Sequence, residues 1–134
     1  MSIYRKFLFN KLGRDGVLEK WTREGVKPKT VHLNDAAFTH SLLEKLKEET
    51  QEVVEHKNPT ELKEELADVI EIVRQIAKNA GISMEDIEKA RADKFAKWGG
   101  WDKRLFVEWA EFPEGHPTID YCLKNPDRFP EIVE

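Results

Sequence analysis

Two long stretches of the chain repeat apolar residues at the three-to-four spacing of an α-helix. Between residues 36 and 56 the face consists of Leu42, Leu43, Leu46, Val53 and Val54. Between 59 and 79 it consists of Leu62, Leu66, Val69, Val73 and Ile76, broadened by Ile70 and Ala77. Asn58-Pro59 divides the two. Proline disfavours helix in the residue before it and suits a first helical position, so one helix is predicted to end near His56 and another to start at Pro59. Asn34 or Asp35 supplies a cap for the first, and Asn58, with Glu61 three residues on, for the second. A connection this short forces the pair antiparallel.

Weaker patterns flank this hairpin. A short helix from Asp15 to Glu24, stopped by Gly25, buries Val17, Leu18 and Trp21. Ser83 opens another from Met84 to Trp98, with Ile87, Ala90 and Phe95 facing inward and Gly99-Gly100 ending it. Lys29 to Leu33 alternates as a strand does, and Arg104 to Trp109 has similar character, so the two are expected to pair as a short ribbon. Tyr4, Phe7, Leu8, Phe9 and Leu12 are too apolar for a free tail and are expected to pack on the body. From Glu111 onward lie four of the six prolines, and the chain is expected to run irregularly, with one short turn around Thr118–Leu123. The expectation is an all-α antiparallel helical bundle over residues 1–110. A tail, 111–134, wraps the domain or a neighbouring subunit.

An acidic residue interrupts the first hydrophobic stripe, and two more border the second. Glu49 stands where Leu42, Leu46 and Val53 call for another hydrophobe, and Glu65 and Asp68 lie immediately beside the second stripe. Polar residues at core positions are expected mainly at functional sites. Glu49 and Glu52 share one helix face, as do Glu65 and Asp68. Counted from the turn, Glu52 and Glu65 fall at similar heights and Glu49 and Asp68 about one turn, ~5 Å, further out. Four carboxylates that converge repel one another unless a cation lies between them. Oxygen-only donors select a hard ion, Mg²⁺ first, with Mn²⁺ or Ca²⁺ as substitutes. The plainer alternative is two solvated faces of highly charged helices.

Composition narrows the classes. With 134 residues, 40% hydrophobic and 36% charged, the chain is a single globular domain with charge-laced helices. A net charge of −4 without a basic stripe argues against nucleic acid as a partner. No window approaches the ~18 apolar residues of a spanning helix, so no membrane role is expected. Cys122 is the only cysteine, which excludes an intramolecular disulfide and suits a reducing cytoplasm.

The acidic spacing also carries a resemblance. Glu48-Glu49-x-x-Glu52, twelve residues, then Glu65-x-x-Asp68 resembles the signature of the MazG-like all-α nucleotide pyrophosphohydrolases, a superfamily that includes phosphoribosyl-ATP pyrophosphohydrolase. Asn10-Lys11-Leu12-Gly13-Arg14-Asp15 and Lys27-Pro28-Lys29-Thr30 resemble the opening of a house-cleaning branch of that superfamily. Lys94, Gly99-Gly100-Trp101 and Arg104 resemble its close. Gly13, Gly16 and Leu18 depart from the branch, which usually has Val, Lys and Pro there. The similarity covers residues 4–107.

The resemblance implies a Mg²⁺-dependent enzyme that cleaves a nucleoside triphosphate between the α and β phosphates. Glu49, Glu52, Glu65 and Asp68 hold the metal in this reading, and Glu48 joins Glu49 as a catalytic candidate that orients or deprotonates water, unless it merely lies in solvent. Lys11, Arg14, Lys94 and Arg104 neutralise phosphate, and Trp101 stacks on a base. The plainer alternatives are surface cations for Lys11 and Arg14 and a core role for the tryptophan. Phosphoribosyl-ATP hydrolysis is a second enzymatic reading, and a helical interaction module with a structural cation is a non-enzymatic one. The partners implied are a small nucleotide and a second copy of the chain, as a homodimer or higher homo-oligomer.

Overall fold

A computed structural model describes residues 3–134. The described residues hold five helices and no strand: α1 (Asp15–Arg23), α2 (Asp35–Val54), α3 (Pro59–Asn79), α4 (Met84–Trp98) and α5 (Pro117–Lys124). The chain divides into two compact units, one ending at Lys97 and the other running Trp98–Glu134. None of the described helices is long and apolar enough to cross a membrane.

The first unit is built on the α2–α3 hairpin, the one helix pair that packs along its length. Its caps follow the sequence. The Asn34 side chain accepts from the Ala37 amide and that of Asn58 from the Glu61 amide, each at 2.9 Å. Pro59 occupies the first turn of α3, where its missing N–H costs nothing. At the other side of the turn α2 stops at Val54, two residues before His56, whose ring Nδ1 lies 2.7 Å from the Val53 carbonyl oxygen. Gly25 and Gly81 have φ of 81° and 73°, the left-handed conformation with which α1 and α3 terminate.

Only one side of each apolar stripe is covered. Leu42 and Ala77 are buried, and Leu46, Val53, Leu62, Val69, Val73 and Ile76 are half-buried. Leu43, Leu66 and Ile70 belong to the same stripes yet remain exposed. The inward face expected for α4 is realised only in its first turn: Met84 and Ile87 are half-buried, whereas Ala90 and Phe95 are exposed. Two helices offer one seam, and a wide apolar face needs a further surface to cover the rest.

The ribbon expected between Lys29–Leu33 and Arg104–Trp109 does not form, since neither segment is in a strand. A β-like pattern marks an edge that can be paired, but the ladder itself requires a partner. The opening segment is also less buried than its composition suggests. Tyr4, Phe7, Leu8 and Phe9 are exposed. Phe9 nonetheless stacks on Trp21 of α1 at 5.4 Å, and Lys27 lies over the Tyr4 ring at 4.1 Å.

The second unit is more regular than its prolines imply. Pro117 starts α5 and the His116 Nδ1 accepts from the Thr118 amide at 3.1 Å, so a proline and a capping side chain open a helix of eight residues where one turn was expected. Tyr121 and Phe129 rings meet at 5.6 Å, and Arg128 lies over Phe129 while donating to the Tyr121 hydroxyl at 3.3 Å.

Because Asn58 caps α3 at the turn that sets the hairpin register, Asn58→Ala should destabilise the protein by about 1 kcal/mol. Urea unfolding followed by circular dichroism measures this, with the midpoint moving down and the slope unchanged.

Candidate functional site

The hairpin turn puts the ends of α2 and α3 side by side, and each carries its acidic pair on the face toward the other. Glu49, Glu52, Glu65 and Asp68 each bring one carboxylate oxygen to within 4.8 Å of the others. Glu49 is the deepest, 7% exposed in the row of Leu42, Leu46 and Val53, and the other three are half-buried.

Two oxygens of this cluster, Glu49 Oε2 and Glu65 Oε2, are buried without any hydrogen-bond partner. Buried acceptors left unmatched are costly, and they are rare in folded proteins unless an ion or water completes them. All the converging donors are carboxylate oxygens, the set that hard divalent cations prefer. The residues therefore fit a Mg²⁺-like ion.

Positive side chains ring the cluster. Lys11 Nζ donates to Glu48 Oε1 at 2.8 Å, and Arg14 Nη2 donates to Asp68 Oδ1 at 2.8 Å. Lys45, one turn before Glu49 on α2, sits 3.3 Å from Glu49 Oε1 and 3.5 Å from Glu48 Oε2. Its side chain is only 18% exposed, low for a lysine, which marks it as part of the site and not of the outer surface.

The titration of these groups follows from their neighbours. Burial pushes the Glu49 carboxyl up, against the pull of Lys45, and the Glu52 charge adds to the push. Glu52 is raised first by the adjoining Glu65 carboxyl and then by burial. Glu48 moves the opposite way, held down by its hydrogen bond from Lys11, whose ammonium is raised in turn. Neighbouring carboxylates are thus split, with Glu48 kept ionised and Glu49 and Glu52 made more basic.

Of the residues singled out in the sequence, the structure gathers Glu48, Glu49, Glu52, Glu65, Asp68, Lys11 and Arg14 in one place. Lys94 stands on the exposed second half of α4, outside that group. Trp101 and Arg104 belong to the second unit, where with Trp98, Gly99, Gly100 and Lys103 they line an open cleft of about 400 Å³. Trp101 is 91% exposed, so a core role is excluded for it within that unit. Arg104 has φ of 57°, a left-handed conformation that non-glycine residues rarely adopt. Lys45 is the residue that sequence reasoning missed. Its only signal was its place one turn before Glu49, on the side of the helix where the acidic residues interrupt the stripe.

Residues 38–98 match the family model described as the MazG nucleotide pyrophosphohydrolase domain, a span that contains all five carboxylates and Lys45. Curated proteins and solved structures gave no significant match.

Opposed pH dependences follow for the protein with and without cation. Glu49 and Glu52 are raised above the ordinary carboxyl value of 4.5, so the folded metal-free protein binds more protons than the unfolded chain just above that value. Its stability should therefore rise as pH falls from about 7 toward about 5. With excess Mg²⁺ the sign should reverse, because protons then compete with the ion. Melting temperatures across this range, with EDTA or Mg²⁺, check both arms. Glu49→Gln should raise the EDTA melting temperature and abolish the Mg²⁺-dependent increase.

Proposed function

From the match of residues 38–98 to the MazG nucleotide pyrophosphohydrolase domain, we propose that the protein is a Mg²⁺-dependent hydrolase of nucleoside triphosphates. The bond cleaved is the anhydride between the α and β phosphates. Water supplies the new P–O bond, a nucleoside monophosphate and pyrophosphate separate, and the bond electrons leave on pyrophosphate. The substrates in this reading are non-canonical or excess (d)NTPs, removed in the cytoplasm. The observation that carries the proposal is the buried Glu49 carboxylate with an unpartnered oxygen, converging with Glu52 of its own helix and with Glu65 and Asp68 across the seam.

In this reading Glu49, Glu52, Glu65 and Asp68 hold the cation. A divalent ion bound there, Mg²⁺ or Mn²⁺ in its place, admits a polyphosphate among carboxylates and acidifies water. Glu48, whose charge the hydrogen bond from Lys11 favours before cation and nucleotide bind, is assigned on the resemblance to orient or deprotonate the attacking water. Lys45 pairs with both Glu48 and Glu49 and offsets the repulsion between them. Lys11 and Arg14, already at the cluster, are placed to meet phosphate charge. Lys94, Trp101 and Arg104 are assigned to the nucleotide on the sequence pattern.

The exposed Leu43, Leu66 and Ile70 on the hairpin support a homodimer in which a second copy covers that side. Sedimentation equilibrium at micromolar concentration should give twice the mass of the chain, 15.7 kDa. A monomer would remove the dimer from the proposal.

A nucleotide screen with Mg²⁺ tests the reaction, provided pyrophosphate and orthophosphate are resolved as products. Pyrophosphate should appear from at least one normal or damaged (d)NTP, and Glu52→Ala or Asp68→Ala should lower turnover at least ~100-fold while helicity is kept. Hydrolysis confined to phosphoribosyl-ATP would move the assignment to histidine biosynthesis. A melting temperature that responds to Mg²⁺ with no phosphate released from any nucleotide would leave only a structural cation site.

A further inference from the structure

Lys11 and Arg14 lie outside the hairpin, in the irregular segment that precedes α1, and reach 37 and 54 residues along the sequence to touch the acidic cluster. The rest of that segment is held lightly. Ile3, Tyr4, Phe7, Leu8 and Phe9 are exposed, and α1 does not pack along the hairpin. Asn10, just before Lys11, adopts φ of 46°, so the chain turns there through a left-handed residue that brings the cations round. The ion pairs to Glu48 and Asp68 therefore tie the N-terminal segment to the hairpin, while the Phe9–Trp21 stack ties it to α1.

One of those ties occupies an oxygen of Asp68, which is also one of the four converging carboxylates. The bond is single, and both partners are substantially exposed, 61% for the Arg14 side chain and 38% for that of Asp68. Exposed pairs of this kind are weak and yield to stronger competitors. A divalent ion bridging several carboxylates is such a competitor, and a guanidinium at the same carboxylate repels it. Lys11 and Arg14 together carry two positive charges, so exchanging both for one divalent ion leaves the local charge unchanged.

We propose that Lys11 and Arg14 form an internal cationic latch: they neutralise the acidic cluster before metal arrives, and cation binding releases the N-terminal segment from Asp68 and Glu48. The release leaves both side chains free to meet the phosphates of the incoming nucleotide, so that cation binds first and nucleotide second. This inference rests on the cation site proposed above. Arg14 acts here as a competitor of the metal, which distinguishes it from a group that orients Asp68 for coordination; an orienting group would strengthen cation binding, and a competitor weakens it.

Mn²⁺ alone, without nucleotide, tests the latch on the full chain. Trypsin cleaves after Lys11 and Arg14, so limited proteolysis reads the segment directly. Cleavage at these two positions in the unmutated protein should accelerate when Mn²⁺ is added, and amide exchange over residues 3–14 should rise with it. In calorimetric titration Arg14→Gln should bind Mn²⁺ about two- to fivefold more tightly, the range expected from removing a weak exposed ion pair, and Arg14→Lys should stay close to the unmutated protein. Equal or weaker Mn²⁺ binding by Arg14→Gln, or segment cleavage that is unchanged or slowed by Mn²⁺, would overturn the latch and leave the cation site standing. Absence of Mn²⁺ binding in every form of the protein would overturn the cation site and the latch together.

Discussion

Repulsion among carboxylates brought to one seam is the constraint that the rest of the first unit answers. A hairpin of α2 and α3 gains stability by covering Leu42, Ala77 and their half-buried neighbours, yet the same contact forces Glu49 into the apolar row and Glu65 and Asp68 against it. Taking Glu49 out of water costs free energy that an alanine or leucine there would not, and two buried oxygens remain without partners. A fold that keeps such an arrangement sacrifices stability to hold charge in place, as expected where binding is the purpose.

The surrounding cations are arranged in two tiers. Lys45 sits on the same helix as Glu48 and Glu49, one turn away, so helix geometry keeps it their neighbour. Lys11 and Arg14 come from a separate segment outside the hairpin, so their contacts to the cluster are not set by the helix pair itself. Lys45 lowers both adjacent glutamates; what splits their titration is the hydrogen bond from Lys11, which lowers Glu48, and burial, which raises Glu49 against the pull of Lys45.

How far the sequence could be read depends on the range of the interaction concerned. Caps, stops and the hairpin turn are local: Asn34, Asn58-Pro59, Gly25 and Gly81 act within a few residues, and each does in the structure what its type implies. The convergence of the carboxylates was also legible, because a short turn between two helices converts sequence distance into height along the seam. Partner identities were not legible. Nothing local told Lys11 to meet Glu48 or Arg14 to meet Asp68, and Lys45 looked like one more surface lysine until the packing around it reduced its exposure. The β-like segments and the inward face of α4 depart from their sequence patterns for a related reason: alternation and amphipathicity state what a segment can cover, and the covering surface has to come from elsewhere.

The same reasoning separates the apolar residues that matter for folding from those left over. Leu42 and Val53 lie in the row with Glu49, and a hairpin formed from them fixes the acidic pairs without help from the other side of the stripe. Leu43, Leu66 and Ile70 do nothing for that seam, because a residue one position away on a helix is rotated by about 100° and faces another direction. Retaining hydrophobes there exposes apolar area that a lone hairpin would do better to replace with charge. Their presence is economical only if that side is also covered, so the acidic seam and the uncovered stripe are separate demands met by the same two helices.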